Sequence, residues 1–409
     1  MKYIILLGDG IADYPVEKLG YKTPLEVARI PNMDRIAGEG TIGLVDTIPE
    51  GFKPGSDVAN LSVLGYDPGI CYSGRGPLEA ANMGVQIGPD DVAFRCNLVT
   101  LGPEADPVMV DYSAGHISSD EASRIIADMD KAIGTPEFQF YPGISYRHLL
   151  VWRNGKDTVE TTPPHDITGQ MTTTYRIKGN DAEKLVGLMR QSQVFLKKHP
   201  VNLARQAAGK RPATSIWLWG QGRAPRMVRL TDQYQLRGGV ISAVDLLNGI
   251  GVCAGLEVIR VPGATGFTDT NYIGKAQAAL KALKDLDFMF VHVEAPDEMG
   301  HAGNLEGKIH AIEDFDEKVV GTVIKGLTDF DDYRILVLSD HPTPLAIKTH
   351  ASDPSPFAVL SSVEKENMSC GAAFSESVAR AGGILVSPGY RLMNLFIRDW
   401  RRFIEEKRQ

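Results

Sequence analysis

Seven side chains in this 409-residue sequence could together hold divalent metal ions and supply a nucleophile: Asp9, Ser56, Asp297, His301, Asp340, His341 and His350. Asp297 and His301 are four residues apart, so a single helical turn sets both on one face, the geometry that one ion needs. Asp340 and His341 follow an apolar run where the backbone must turn, which lets neighbouring side chains converge, and His350 comes nine residues later. Each pair alone is more often a helix cap or a hydrogen-bonded core histidine. It is their joint position at the ends of core elements that favours ligation. Carboxylates mixed with imidazoles suit Mn²⁺ or Zn²⁺, whereas a closed structural zinc site would use cysteines. Seven ligands are too many for one tetrahedral ion and suit two. A pair of ions about 3.5 to 4 Å apart would lower the pKa of Ser56, grip phosphoryl oxygens and stabilise a leaving alkoxide. The chemistry expected is phosphoryl transfer through a phosphoserine.

These side chains need elements to position them. Ser56 ends the turn Lys53-Pro54-Gly55 and opens an apolar helical pattern, where backbone amides and the helix dipole favour an approaching anion. A plain N-cap is the other reading of that serine. Tyr3 to Leu7 is a continuous apolar run ending at Gly8-Asp9-Gly10, read as a strand buried on both faces with a carboxylate at its C-terminal end, where open α/β sheets bind ligands. Asp9 as a simple turn residue stays open. Phe288 to Val293 ends in Glu294-Ala295-Pro296-Asp297, and Arg334 to Leu338 ends in Ser339-Asp340-His341, repeating the pattern. Further strands are expected at 215–219, 240–244, 257–261 and 357–360, alternating with helices. The fold class is therefore α/β, a largely parallel sheet covered by helices on both faces. Gly249 to Gly255 comes after a helix and before a strand, the reverse of a dinucleotide fingerprint, and reads as a helix C-cap and turn. The tail 392–407 reads as a charged amphipathic helix.

Between about Val92 and Ile177 the texture changes to strands at 92–99 and 146–152 around an amphipathic helix at 119–133. This reads as a smaller α+β insertion, giving a core of 1–92 and 177–409 and a lid of 93–176. The lid concentrates Arg95, His116, Arg147, His148, Arg153, His165 and Asp166, each of which alone is more often a solvated surface group. A net charge of -8 without a basic cluster argues against nucleic-acid binding. No apolar run approaches membrane-spanning length, no secretory signal is apparent, and a cytoplasmic protein is expected. Cys71, Cys96, Cys253 and Cys370 are too scattered for a disulfide framework or a thiolate zinc site.

The motifs Gly8-Asp9-Gly10, Pro54 to Asn60, Gly74-Arg75-Gly76-Pro77-Leu78-Glu79-Ala80, Asp111 to His116, Glu294 to His301 and Ser339-Asp340-His341 run nearly end to end. On them the chain resembles the cofactor-independent (2,3-bisphosphoglycerate-independent) phosphoglycerate mutases of the shorter, archaeal type, within the alkaline phosphatase superfamily. The resemblance implies an alkaline-phosphatase-like core that interconverts 3-phosphoglycerate and 2-phosphoglycerate in glycolysis with two divalent ions, Mn²⁺ first and Zn²⁺ or Mg²⁺ as alternatives, and no organic cofactor. It implies one ion on Asp297, His301 and His350, and the other on Asp9, Ser56, Asp340 and His341. The small phosphorylated carboxylate substrate would be held by Lys275 and by lid residues, of which Arg147, Arg95 and His116 are the candidates. The lid matches the longer bacterial mutases poorly. The alternative within the class is a phosphotransferase or phosphohydrolase acting on another small phosphate ester, a homoserine kinase role being a candidate for some sequences of the short type, and a non-catalytic ligand-binding relative is the reading from a different class.

Overall fold

The computed structural model describes residues 1–102, 107–364 and 371–407; Cys370 lies outside the described residues. The chain forms two compact units, one of Met1–Tyr72 with Arg226–Gln409 and the other of Ser73–Pro225.

The first unit is built on an eight-stranded sheet in the order Glu257–Val258, Gly238–Ile241, Phe288–Val293, Lys2–Gly8, Tyr333–Leu338, Ser355–Ser361, Thr41–Val45, Leu385–Val386. All neighbours are parallel except Ser355–Ser361, which runs antiparallel to both of its partners. The three central strands are mostly apolar because both faces are covered. Ile4, Leu6, Met289, Val291 and Val337 pack on one side with Met33, Ile36, Ala276 and Ala279 from helices Pro31–Glu39 and Tyr272–Ala282. Their alternates Ile5, Leu7, Phe290 and Leu336 are equally buried on the other. There the Tyr3 ring meets Phe396 edge-on and its hydroxyl donates to the Ile397 carbonyl, which brings the C-terminal segment against that face. Burying each such side chain is worth roughly 1.5–3 kcal/mol relative to exposure, enough for a sheet to tolerate polar groups crowded at its edge. The register fixes where they crowd. Leu7 pairs with both His292 and Leu338, so Asp9, Glu294 and Asp340 leave three adjacent parallel strands at the same level.

The second unit holds a sheet in which Val92–Leu101 pairs antiparallel with Met109–Asp111, Arg147–Trp152 and Ser215–Gly222, and Phe138–Tyr141 adds to Arg147–Trp152. The helices Ser119–Ile133 and Ala182–Leu196 pack on it through Ile125, Ile126, Met129, Leu185 and Leu188. This unit is wider at both ends than the expected 93–176. The run at 215–219, expected in the main sheet, forms strand Ser215–Gly222 and instead pairs Trp217 with Asn97 in this one, with helices Ala182–Leu196 and Pro200–Ala207 in the same unit. An apolar run is compatible with either sheet, so its period carries no information about which one receives it. Helix Arg75–Asn82 also belongs to this unit. At Gly255 (φ +80°) the chain turns after helix Asp245–Cys253, the C-cap expected of that glycine-rich run.

Candidate active site

The strand ends of the first unit gather two clusters, Asp297, His301 and His350 in one and Asp9, Asp340 and His341 in the other, with ligand atoms in each lying within 4.8 Å of one another. In the first, His301 Nε2 is 3.2 Å from Asp297 Oδ2 and 3.0 Å from His350 Nε2, while His350 Nε2 lies 3.6 Å from Asp297 Oδ1. The other nitrogen of His301, Nδ1, hydrogen-bonds the Lys348 carbonyl at 3.0 Å, which turns Nε2 inward. Helix Ala295–Ala302 places Asp297 and His301 on one face, as their spacing requires. The hydrogen bond to Asp297 pushes the His301 imidazole up to about 9 against the effect of burial. Burial disfavours the Asp297 anion, but His301 and His350 outweigh it and hold that carboxyl well below the usual range.

The second cluster is fully buried. Asp340 accepts from the Gly10 amide at 3.2 Å and its own neighbour His341 at 3.0 Å through Oδ1, and from Asn60 Nδ2 at 2.9 Å through Oδ2. Asp9 Oδ1 has no hydrogen-bond partner and lies 3.5 Å from His341 Nε2. Burial, then the carboxylates of Asp340, Asp297 and Glu294, push the Asp9 carboxyl well up. An orphaned buried oxygen in a crowd of carboxylates is the signature of a place that a cation completes, so the residues present fit divalent ions.

Ser56 stands beside this cluster with its Oγ 3.2 Å from His341 Nε2. The N-cap of helix Ser56–Val63 is Gly55, and no side chain caps it; Ser56 therefore occupies the first turn, and the capping reading is set aside. The Ser56 carbonyl accepts from Asn60 Nδ2, which ties the serine to the amide that orients Asp340. Asp57 accepts from the Tyr72 hydroxyl at 2.6 Å.

Three side chains outside the sequence-based set bind these loops together. Thr343 Oγ1 donates to Asp297 Oδ1 and lies 3.3 Å from His341 Nδ1, so one hydroxyl touches both clusters. The buried Lys308 amine donates to Asp13 Oδ2 at 2.6 Å, the Thr343 carbonyl at 2.8 Å and the Ala12 carbonyl at 3.3 Å, fastening the loop after Lys2–Gly8 to the loop after Tyr333–Leu338. His292, fully buried, holds Asp9 Oδ2 at 2.9 Å, and burial pushes its imidazole down to about 3. The one signal available in the sequence was a histidine inside the apolar run Phe-Met-Phe-Val-His-Val, a group that needs a partner when buried. Gly10 (φ +61°) is needed here on two counts, since a Cβ would lie 2.6 Å from Thr343 Oγ1 and 2.7 Å from Asp297 Oδ1.

The substrate candidates divide. Lys275 is fully buried and donates to the His292 carbonyl at 3.0 Å; burial pushes its amine down to about 8, with Glu294 pulling the other way. In this structure it therefore braces the Phe288–Val293 strand, and its expected hold on a small molecule has no exposed atom to act through. Arg95, Arg147 and His116 lie in the second unit around an aromatic group. The Arg95 guanidinium sits 4.3 Å over Trp219 and pairs with Glu79 at 2.9 Å, Arg147 lies 5.8 Å from the Tyr146 ring centre, and His116 meets the same ring edge-on. His165 packs between Trp219 and Tyr112. The remaining lid basics are structural: His148 is buried and accepts from the Gly143 amide, and Arg153 pairs with Asp91 at 2.6 Å.

A largely parallel sheet that brings two adjoining Asp/His clusters to its C-terminal edge, with a serine hydroxyl beside one of them, has the make-up of a metal-dependent phosphotransferase. The sequence matches the 2,3-bisphosphoglycerate-independent phosphoglycerate mutase family over residues 37–202. It is 55% identical over 402 residues to the 2,3-bisphosphoglycerate-independent phosphoglycerate mutase of Methanosarcina mazei, covering 98% of this chain and all of that one. The same-named protein of Methanosarcina acetivorans is 58% identical over 362 residues, 88% of this chain and 90% of the other. The solved cofactor-independent phosphoglycerate mutase of Thermoplasma acidophilum superposes with a TM-score of 0.66 at 26% identity, over 97% of this chain and 99% of that one. The chain belongs to the 2,3-bisphosphoglycerate-independent phosphoglycerate mutase family. No helix among the described residues is long and apolar enough to cross a membrane.

Proposed function

We propose that the protein interconverts 3-phosphoglycerate and 2-phosphoglycerate in the cytoplasm, as a step of glycolysis and gluconeogenesis, by way of a phosphorylated Ser56. The observation that carries this reading is the Ser56 hydroxyl 3.2 Å from His341 Nε2, at the margin of a cluster whose Asp9 Oδ1 has no partner. Asp297, His301 and His350 would hold one divalent ion, and Asp9, Asp340, His341 and Ser56 the other, with Mn²⁺ the first candidate because hard carboxylates and imidazoles are mixed. When bound, such a pair supplies Lewis-acid stabilisation of the transferring phosphoryl oxygens and lowers the pKa of the serine.

The protein's own groups do the rest. Ser56 Oγ forms a bond to phosphorus as the ester bond to one glycerate oxygen breaks, and the serine proton is balanced by protonation of that oxygen. The other glycerate hydroxyl then takes the phosphoryl group from Ser56, restoring the serine. The helix that opens at Ser56 sets the positive end of its dipole beside the serine, which favours the anionic phosphoryl group. Arg147, Arg95 and His116 are assigned to the substrate carboxylate, Arg147 foremost because a guanidinium fork matches that group. Glycerate must stay captive between the two transfers, and water must be excluded from the phosphoserine.

The test is ³¹P NMR of purified protein with 3-phosphoglycerate and Mn²⁺, without bisphosphoglycerate, repeated with Zn²⁺ and Mg²⁺. A 2-phosphoglycerate signal is expected. Free phosphate alone would make the protein a hydrolase, and no turnover of any phosphate ester would make it a binding protein.

A further inference from the structure

Asp9 is held from behind by a chain of hydrogen bonds whose direction can be worked out atom by atom. The Val244 amide donates to Ser242 Oγ at 3.0 Å, so that oxygen already accepts one hydrogen and keeps its own proton to give. Ser242 Oγ lies 3.1 Å from His292 Nδ1, and His292 Nε2 lies 2.9 Å from Asp9 Oδ2. With Asp9 ionised, Oδ2 can only accept, so Nε2 must carry the imidazole hydrogen. Nδ1 of the neutral ring is then a lone pair facing the Ser242 hydroxyl. The order is amide to hydroxyl, hydroxyl to imidazole, imidazole to carboxylate, with every donor meeting an acceptor. Two links of the chain are anchored as well. Asn248 Nδ2 donates to the Ser242 carbonyl at 3.3 Å, and the Lys275 amine donates to the His292 carbonyl at 3.0 Å. His292, Asn248 and Lys275 have no exposed surface, and Ser242 has almost none, so the chain does not exchange partners with water.

We propose that His292, set by Ser242, is a positioning residue that commits Asp9 Oδ2 to the protein and leaves Oδ1 as the one oxygen free for a cation. A carboxylate without that restraint could rotate or chelate through both oxygens. With it, Asp9 offers a single oxygen in a single direction, while Asp340 is oriented separately by Gly10, Asn60 and His341. The same device orients ligating histidines through carboxylates in many metal sites; here the roles are reversed, and the histidine orients the carboxylate. The cluster of Asp297, His301 and His350 does not touch His292 in any hydrogen bond among the described residues, so the effect should be confined to one of the two ions. The inference rests on the two-ion reading above.

The test is calorimetric titration of metal-free, full-length protein with Mn²⁺, alongside the Mn²⁺ count by electron paramagnetic resonance and the melting temperature of each metal-free variant. Asp9→Asn marks which binding event belongs to the Asp9 cluster. His292→Leu is expected to weaken that event about 10- to 100-fold and to leave the other within about threefold. His292→Gln, whose amide can still donate toward Asp9, should recover most of the loss, and Ser242→Ala should show a smaller loss in the same event. The proposal is overturned if His292→Leu changes neither event, or weakens both together in step with a lower melting temperature, the behaviour of a merely structural core residue. Should His292→Leu fail to fold, Ser242→Ala decides the matter, since an unchanged Asp9 event there also overturns it. Wild-type protein that binds fewer than two Mn²⁺ would instead overturn the two-ion reading, an outcome visible before any variant is compared.

Discussion

At the strand ends of the first unit, Asp9, Asp297 and Asp340 crowd with Glu294 close enough to push the Asp9 carboxyl well up on top of its burial, and no arginine or lysine reaches Asp9 or Asp340 in any ion pair described. The second unit arranges its carboxylates otherwise. Glu79 meets Arg95 at 2.9 Å, Asp91 meets Arg153 at 2.6 Å, Asp111 meets Arg211 at 2.8 Å and Glu121 meets Arg205 at 2.6 Å. Asp91, Asp111 and Glu121 are all held below their ordinary range: burial opposes it, but hydrogen bonds from amides, hydroxyls and arginines prevail. One unit is electrostatically complete within its own sequence, and the other leaves a deficit at the place where its nucleophile sits. That deficit is what a bound cation would offset in the first unit, whereas the second unit matches these carboxylates with its own arginines.

Removing the nucleophile separates holding ions from doing chemistry. Ser56→Ala should reduce turnover by more than about a thousandfold while both Mn²⁺ binding events persist, because the carboxylate deficit remains. Retained turnover in the ³¹P assay would remove Ser56 from its role. Arg147→Ala tests the other half of the contrast. Losing a charged hydrogen bond to a carboxylate costs about 1.5–3 kcal/mol, so kcat/KM should fall roughly 10- to 100-fold with Mn²⁺ affinity unchanged. Phosphate released per 2-phosphoglycerate formed should rise as glycerate escapes. An unchanged partition between the two products would make Arg147 a structural residue.

The contrast also explains what could be read before the structure was known. Asp9, Asp297 and Asp340 were legible because each follows an apolar run long enough to be a buried strand, and parallel strands deliver their ends to one edge. Thr41–Val45 was not legible as a strand, since Thr-Ile-Gly-Leu-Val is short and has at its centre a glycine, a residue depleted in strands. Ser215–Gly222 was legible as a strand but not as a member of the second sheet, because pairing partners are a long-range property. His292 and Thr343 escaped because their roles depend on which acceptors stand opposite them. Lys275 was assigned to a ligand by motif, while its complete burial could be known only from packing.

Asp9→Asn should stabilise the metal-free protein while weakening its hold on ions. A carboxyl raised on folding contributes fully below its unfolded pKa of about 3.9 and loses that contribution as pH climbs toward the folded value. Metal-free wild type should therefore lose stability on going from pH 5 to pH 8, and Asp9→Asn should lose less. At pH 8 the variant is expected to melt a few degrees higher in EDTA, at about 2–4 °C per kcal/mol, with a smaller gain on adding Mn²⁺. Parallel pH curves for the two proteins would show that Asp9 carries no unmet charge.

The smallest effect, Asp91→Asn, should have the opposite pH sense and no ion dependence. Asp91 accepts from the Gly88 amide at 2.7 Å and Arg153 at 2.6 Å through Oδ2, and from the Asn154 amide at 3.1 Å through Oδ1. An asparagine can keep one amide contact but not the ion pair, so the local cost should be about 1 kcal/mol at neutral pH. Because the Asp91 carboxyl is depressed on folding, its contribution is present above the unfolded pKa and disappears as pH falls through the folded value. Hydrogen exchange at the Gly88 and Asn154 amides reads this locally: about fivefold faster in the variant at pH 7, with the difference shrinking toward pH 3. Adding Mn²⁺ or EDTA should leave that ratio alone, since sites without shared partners contribute independently. If EDTA changed it, the charge pairing of the second unit would be coupled to the ions of the first, and the division drawn between a finished unit and an unfinished one would fail.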